Sequence, residues 1–125
     1  MIRKRLLVVD ERQGFCEYVR RVASALGYEV KTARNMRSFR AAFEAFAPTA
    51  LFVDLVTLRS GVVELALWLS EEGFSGRMLV TGVMDETRAV AHLGMVEGLG
   101  PVTVLSKPVR LKDLRAALTR RKRGT

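Results

Sequence analysis

The stretch "ALFVD" at residues 50–54 places an acid, Asp54, directly after an apolar segment. A continuous apolar segment is typical of a strand with both faces buried, as in the centre of a parallel sheet. Burying a carboxylate at the end of such a strand costs free energy unless other groups satisfy its charge. Asp54 therefore indicates a functional site at a strand end, and its partners should follow other strands.

Two kinds of apolar pattern alternate along the rest of the chain. Short apolar or alternating segments predict strands at residues 5–10, 28–33, 50–54, 76–82 and 101–106. Apolar residues at helical spacing predict helices at residues 14–26, 36–47, 62–73, 85–100 and 109–123, of which the one at residues 85–100 has a loose end. Strict strand–helix alternation predicts an α/β fold, with a doubly wound parallel sheet between two layers of helices.

Length and composition indicate the class of protein. The 125 residues suit one domain with one core, and 49% apolar with 27% charged residues is typical of a folded globular chain. No apolar segment reaches the ~18 residues of a membrane span. The single cysteine, Cys16, allows no intrachain disulfide. We therefore expect one cytoplasmic domain over residues 1–125, with no output domain and a frayed basic tail at residues 120–125.

The formal net charge of +8 comes partly from two basic clusters, "RKR" at residues 3–5 and "RRKR" at residues 120–123. Such clusters can bind nucleic acid. However, no aromatic residues are interleaved with them for base stacking, and no helix reads as a recognition motif. A solvated surface is the simpler interpretation, so nucleic acid is not expected as a main partner.

Polar residues follow four of the predicted strands at their carboxyl ends, and they are Asp10 with Glu11, Asp54, Thr81, and Ser106 with Lys107. These ends lie at one edge of a parallel sheet, where ligands bind. Close carboxylates repel one another, which raises their pKa values unless cations such as Mg²⁺ or Lys107 offset the repulsion. The set suits phosphoryl transfer with Asp54 as nucleophile. Singly, each residue also has an ordinary role, since an acid after a strand often caps the next helix.

Four segments carry a family resemblance: "LLVVDE", "LFVDL", "MLVTG" and "LSKPV", in this order. Together they resemble the signature segments of response-regulator receiver domains over nearly the whole chain. The resemblance implies a flavodoxin-like sandwich with sheet order 2-1-3-4-5. It also implies a receiver in two-component signal transduction, which accepts a phosphoryl group from a histidine kinase or phosphotransfer protein. Such a domain is a switch rather than an enzyme acting on a separate substrate.

The same resemblance implies a role for each site residue. Asp54 would be phosphorylated, and Thr81 and Lys107 would bind the phosphoryl group. Four groups would hold Mg²⁺: Asp10, Glu11, Asp54 and the backbone carbonyl of Val56. The Lys107–Pro108 peptide bond would be cis. The signal would emerge on the face formed by the fourth long helix, the fifth strand and the last helix. An unknown target or a second copy of the chain would dock there.

The chain departs from the family pattern at three positions. Leu58 stands where receivers usually carry proline, Gly61 comes one residue early, and Val104 replaces a common aromatic switch residue. We therefore expect a reshaped loop after Asp54, and a readout without a rotating ring. Thr81 and Lys107 are also unusually far apart, which predicts a longer fourth helix or connection.

Two valines bear on how long the phosphoryl group would persist. Val56 and Val83 flank the expected path of the hydrolytic water, and neither side chain can hold water. We therefore expect slow autodephosphorylation.

Two other classes of protein remain as alternatives. A degenerate receiver would keep the fold as an interaction module without phosphorylation, which Leu58 and Val104 favour and the complete polar set opposes. A phosphatase of the haloacid-dehalogenase type also uses an aspartate nucleophile, but it needs Asp-x-Asp after its first strand. This chain has Asp10-Glu11-Arg12 there, so that class is disfavoured.

Overall fold

The computed structural model describes residues 3–83 and 85–120, which form five strands and six helices, with one helix after each strand except the third, which two helices follow. The strands β1 to β5 lie at Arg5–Val9, Glu29–Ala33, Ala50–Asp54, Arg77–Thr81 and Val102–Val104. The helices α1 to α6 lie at Gln13–Ala25, Met36–Phe46, Leu55–Leu58, Val62–Glu72, Glu86–Gly94 and Leu111–Thr119. All ten predicted elements are present, and α3 is an additional one. The basic tail that is predicted to fray comprises residues 120–125, and its residues beyond Arg120 lie outside the described part of the chain.

The strands form one parallel sheet in the order β2-β1-β3-β4-β5. This order confirms the predicted doubly wound, flavodoxin-like fold. The central strand β3 lies between β1 and β4, and its last residue, Asp54, pairs in register with Thr81 of β4. The central strands therefore deliver their terminal polar residues to the same edge.

The sheet divides the core into two layers because successive strand residues point to opposite faces. Leu51 and Val53 of β3 pack on one face with residues of α2, α3, α4 and α5. Phe52 packs on the other face with residues of α1 and α6. Both faces are buried, which explains the continuous apolar sequence of the central strands.

The loop after Asp54 begins with a single helical turn, α3. Asp54 caps this turn, and Arg59 ends it in the left-handed conformation with φ of +52°. Leu58 is only 3% exposed and belongs to the core. A buried leucine thus occupies the position where receivers usually have a proline, and the turn directs its side chain inward.

Only the first part of the segment at residues 85–100, predicted as a helix with a loose end, is regular helix. Helix α5 ends at Gly94, and turns follow in which Val96 donates to the Leu93 carbonyl at 3.1 Å. Val96 and Leu99 are buried and continue the apolar spacing of the helix through these turns. The long separation of Thr81 from Lys107 is therefore a longer connection rather than a longer helix. Within residues 3–83 and 85–120, no helix has the length and hydropathy needed to cross a bilayer.

Candidate functional site

Three buried polar side chains mark the carboxyl edge of the sheet. Asp10 follows β1, Asp54 ends β3 and Thr81 ends β4, with exposed fractions of 0%, 6% and 0%. Lys107 reaches the same place from the loop after β5, next to a cis peptide bond with Pro108. The structure thus brings four of the sequence-predicted residues into one cluster.

The two carboxylate oxygens of Asp54 both accept hydrogen bonds. Oδ2 accepts from the Thr57 hydroxyl at 2.7 Å and from the Thr57 backbone N–H at 3.1 Å. Oδ1 accepts from the Thr81 hydroxyl at 3.1 Å and lies 3.8 Å from the Lys107 ammonium. Thr81 and Lys107 therefore both face the same oxygen of Asp54.

The pKa of Asp54 is lowered by this environment. Burial alone would raise the pKa because it penalises the charged form. The hydrogen bonds from Thr57, the positive charge of Lys107 and the hydrogen bond from Thr81 together outweigh that effect. Asp54 is therefore a carboxylate at neutral pH, as a nucleophile or a metal ligand must be.

Lys107 pairs more closely with Asp10 than with Asp54. Its ammonium donates a hydrogen bond to Asp10 Oδ2. Asp10 Oδ1 accepts from the Arg12 backbone N–H at 2.8 Å, and the Arg12 Nε lies 3.7 Å away. These cations offset the repulsion between the two buried acids, as expected for Lys107 from the sequence.

An aromatic side chain of α1 lies beneath the lysine. The Lys107 ammonium is 4.5 Å from the centroid of the Phe15 ring, which packs edge-on against Phe52 of β3 at 5.6 Å. In addition, the Tyr18 hydroxyl donates to the Val109 carbonyl at 3.0 Å. Helix α1 thus holds the loop that carries Lys107 at two points.

Glu11 and Val56 stand at the mouth of the site. Both line an open cavity of about 620 Å³, together with Asp54 and Lys107. The Glu11 carboxylate is exposed, and its backbone N–H donates to the Thr57 hydroxyl at 3.0 Å. The Val56 carbonyl accepts from the Arg59 N–H at 3.2 Å, which closes α3.

The donor set fits Mg²⁺ in kind. Mg²⁺ binds through one or two carboxylates and keeps several waters, and Asp54 and Glu11 supply two carboxylates to one open cavity. Among residues 3–83 and 85–120, however, no three Asp, Glu, His or Cys side chains are grouped as a ready metal site. Asp10 is engaged by Lys107 and Arg12 instead. The four metal ligands implied by the resemblance therefore stay a prediction.

Sequence reasoning missed two residues of the site. Thr57 hydrogen-bonds to Asp54. In the sequence it is indicated only by a hydroxyl residue three positions after the acid, which is the spacing of a capped helical turn. Gly82 has φ of +76°, and a Cβ placed on it would lie 2.7 Å from Asp54 Oδ1. A glycine directly after Thr81 is the signal for that close approach.

Val104 and Val83 line the same cavity. Val104 is partly buried beside the site, and no aromatic ring stands at its position in β5. A readout without ring rotation stays a prediction. Likewise, the rate of phosphoryl loss expected from Val56 and Val83 stays a prediction.

Comparisons with solved structures give many receiver domains. The receiver domain of a putative LuxO repressor from Vibrio parahaemolyticus has a TM-score of 0.74 at 14% identity, covering 94% of this chain and 88% of that chain. The chemotaxis response regulator CheY4 of Vibrio cholerae has a TM-score of 0.74 at 20% identity, covering 95% and 98%. The receiver domain of an HD domain-containing protein from Pseudomonas fluorescens Pf-5 has a TM-score of 0.73 at 19% identity, covering 94% and 92%.

Comparisons at the level of sequence give no such likeness. No protein-family model matches the chain, and the search of curated proteins finds no match. The similarity is therefore one of architecture, at sequence identities between 14% and 20% for the three structures named. On these observations the chain has the fold of response-regulator receiver domains.

Proposed function

We propose that this chain is a two-component receiver that accepts a phosphoryl group on Asp54 from a histidine kinase or phosphotransfer protein. One observation carries the proposal. Asp54 is a buried, ionised carboxylate at a strand end, bonded to Thr81, 3.8 Å from Lys107 and open to a cavity. A hydroxyl and an ammonium around one carboxylate are what phosphoryl transfer to that carboxylate requires.

In the proposed reaction, an oxygen of Asp54 attacks the phosphorus of the donor phosphohistidine. The new phosphorus–oxygen bond forms as the phosphorus–nitrogen bond breaks, and the electron pair of that bond stays on the histidine. Thr81 would donate its hydroxyl hydrogen bond to a phosphoryl oxygen, and Lys107 would pair with another. Asp10 would hold Lys107 in place until the phosphoryl group arrives.

A divalent cation is part of the proposal. Mg²⁺ bound through Asp54 and Glu11 would neutralise charge on the transferring phosphoryl oxygens. Glu11 is suited to this role because its carboxylate is exposed and lines the same cavity as Asp54. Asp10 is buried and paired, so it would contribute through its charge rather than by direct contact.

We propose that the phosphorylated chain signals to its partner through the face formed by α5, β5 and α6. Large apolar side chains on or beside these helices are exposed: Val90, Met95 and Leu111. Exposed apolar side chains are candidates for burial against a protein partner. A downstream protein or a second copy of this chain would dock there. We place the protein in the cytoplasm, since its buried Cys16 is a free thiol.

Labelling with acetyl phosphate or a phosphorylated kinase tests the proposal. We expect the wild type to take up one base-labile, hydroxylamine-sensitive phosphoryl group in the presence of Mg²⁺, and much less without it. Asp54→Asn should take up none, because its amide is not a nucleophile. Circular dichroism of both chains controls for folding. A folded wild type that stays unlabelled under all conditions refutes phosphorylation at Asp54.

A degenerate receiver is the second candidate, and a specific observation favours it. Both oxygens of Asp54 are already hydrogen-bonded within the chain, and no group of three potential metal ligands lies among the described residues. Such a chain would bind its partner equally well as wild type and as Asp54→Asn. Partner binding that strengthens only after labelling would exclude this candidate.

A further inference from the structure

A chain of hydrogen bonds runs from the loop after β1 to Asp54 through Thr57. The Glu11 backbone N–H donates to the Thr57 hydroxyl at 3.0 Å, and that hydroxyl donates its proton to Asp54 Oδ2 at 2.7 Å. Thr57 therefore connects the loop that bears one acid with the side chain of the other. A movement of the Glu11 backbone N–H or of the Asp54 carboxylate would therefore break a hydrogen bond of the Thr57 hydroxyl.

Oδ2 of Asp54 has little accepting capacity left. A carboxylate oxygen has two lone-pair sites, and both donors of Thr57 fall on Oδ2. Oδ1, in contrast, accepts one hydrogen bond, from Thr81. A new partner of Asp54 that binds at Oδ2 must therefore replace one of the two Thr57 donors.

Of the donors on Oδ2, only the Thr57 hydroxyl can leave by a side-chain rotation. The Thr57 backbone N–H is fixed by the helical turn α3, which Asp54 caps. Rotation of the Thr57 side chain moves only its own hydroxyl and methyl groups, and threonine has staggered alternatives for this torsion. The rotation would free Asp54 Oδ2 and the Glu11 N–H in one step.

We propose that Thr57 is a latch on Oδ2 of Asp54: a positioning residue whose hydroxyl occupies Oδ2 and must turn away before this oxygen accepts a metal ion. This inference rests on the function proposed above. The backbone N–H alone satisfies the capping of α3, so the hydroxyl bond is additional to what the turn needs. Its role is to keep the Glu11 backbone and Asp54 joined through the Thr57 hydroxyl until a cation competes for Asp54 Oδ2.

Matched variants at one position test the latch. Thr57→Val keeps the branched shape and removes the hydroxyl, whereas Thr57→Ser keeps the hydroxyl. Amide resonances of each full-length chain are followed during titration with MgCl₂. We expect Thr57→Val to bind Mg²⁺ about tenfold more tightly than the wild type, since one hydrogen bond to a charged group no longer has to be broken. Thr57→Ser should bind like the wild type.

A measurement on the unaltered chain accompanies the variants, in case Thr57→Val folds poorly. Hydrogen exchange of the Glu11 amide should be slow without Mg²⁺, because the amide is bonded to Thr57, and should become faster at saturating Mg²⁺. Thermal unfolding of each variant reports any purely structural loss.

The outcomes separate the latch from the proposed function. Equal or weaker Mg²⁺ binding by a folded Thr57→Val overturns the latch, as does a Glu11 amide whose exchange Mg²⁺ leaves unchanged. Labelling at Asp54 then still decides the proposed function independently. If neither the wild type nor Thr57→Val binds Mg²⁺ or takes up phosphate, the proposed function is wrong and the latch is wrong with it.

Discussion

Gly82 is the residue whose substitution most directly tests the packing of the site. Its φ of +76° is a left-handed conformation, and a Cβ would lie 2.7 Å from Asp54 Oδ1 and 3.1 Å from the Val56 nitrogen. An L-residue at such a φ costs ~1–2 kcal/mol. Moving the neighbouring atoms away from the added Cβ costs a further ~1–3 kcal/mol of stability, because the hydrogen bonds from Thr57 hold the Asp54 carboxylate in place. We expect Gly82→Ala to lower the free energy of unfolding by about 2–5 kcal/mol.

Two other glycines separate these contributions. Gly73 also has a positive φ, of +68°, but a Cβ there meets no atom within 4 Å. Gly73→Ala should therefore show the conformational cost alone, ~1–2 kcal/mol. Gly94 has neither a positive φ nor a neighbour within 4 Å, so Gly94→Ala should be neutral or slightly stabilising.

Urea unfolding of the three variants, followed by far-ultraviolet circular dichroism, gives the comparison. Midpoint and slope are both recorded, since a changed slope would mean that the two-state analysis fails. The reasoning is wrong if Gly82→Ala loses no more stability than Gly73→Ala. That result would mean that the carboxylate can move aside freely and that the site is not tightly packed at Asp54.

Two further predictions concern the acid itself and the turn that follows it. The folded pKa of Asp54 lies below its unfolded value. Its stabilisation is therefore full above the unfolded pKa of ~3.9 and is lost as the pH falls through the folded pKa. Urea midpoints measured from neutral to acidic pH should fall more steeply in the wild type than in Asp54→Asn, and parallel curves would contradict this. Leu58→Ala should lower the free energy of unfolding by about 2–5 kcal/mol because the side chain is buried. The control Val56→Ala, 65% exposed, should change it by less than ~0.5 kcal/mol.

The sheet and its edge were predictable because they depend on patterns that extend over many residues. Continuous apolar segments identify strands buried on both faces, and strict alternation with helices leaves few arrangements for a parallel sheet. The position of Asp54 at the end of β3 then places it beside Thr81 and Lys107. The same patterns do not show where the helix within residues 85–100 gives way to its loose end, since Val96 and Leu99 keep the helical spacing in non-helical turns.

The details around Asp54 were not predictable because they depend on short segments and on single side-chain torsions. Helix α3 has four residues, too few for any periodicity to show. The bond from Thr57 to Asp54 depends on a side-chain torsion, which the residue type alone does not determine. Likewise, the sequence does not show that the acid nearest to Lys107 is the fully buried Asp10 rather than Asp54.

The contact between Lys107 and helix α1 has a mechanical consequence. The ammonium rests over the Phe15 ring, and Tyr18 of the same helix holds the carbonyl of Val109 two residues further along the loop. A lysine that turns from Asp10 towards Asp54 would pull on a loop fastened at two points to α1. The movement of Lys107 would therefore act both on strand β5 and on helix α1. With valine at position 104, Phe15 is the ring in contact with Lys107, and it would pass such a movement to α1.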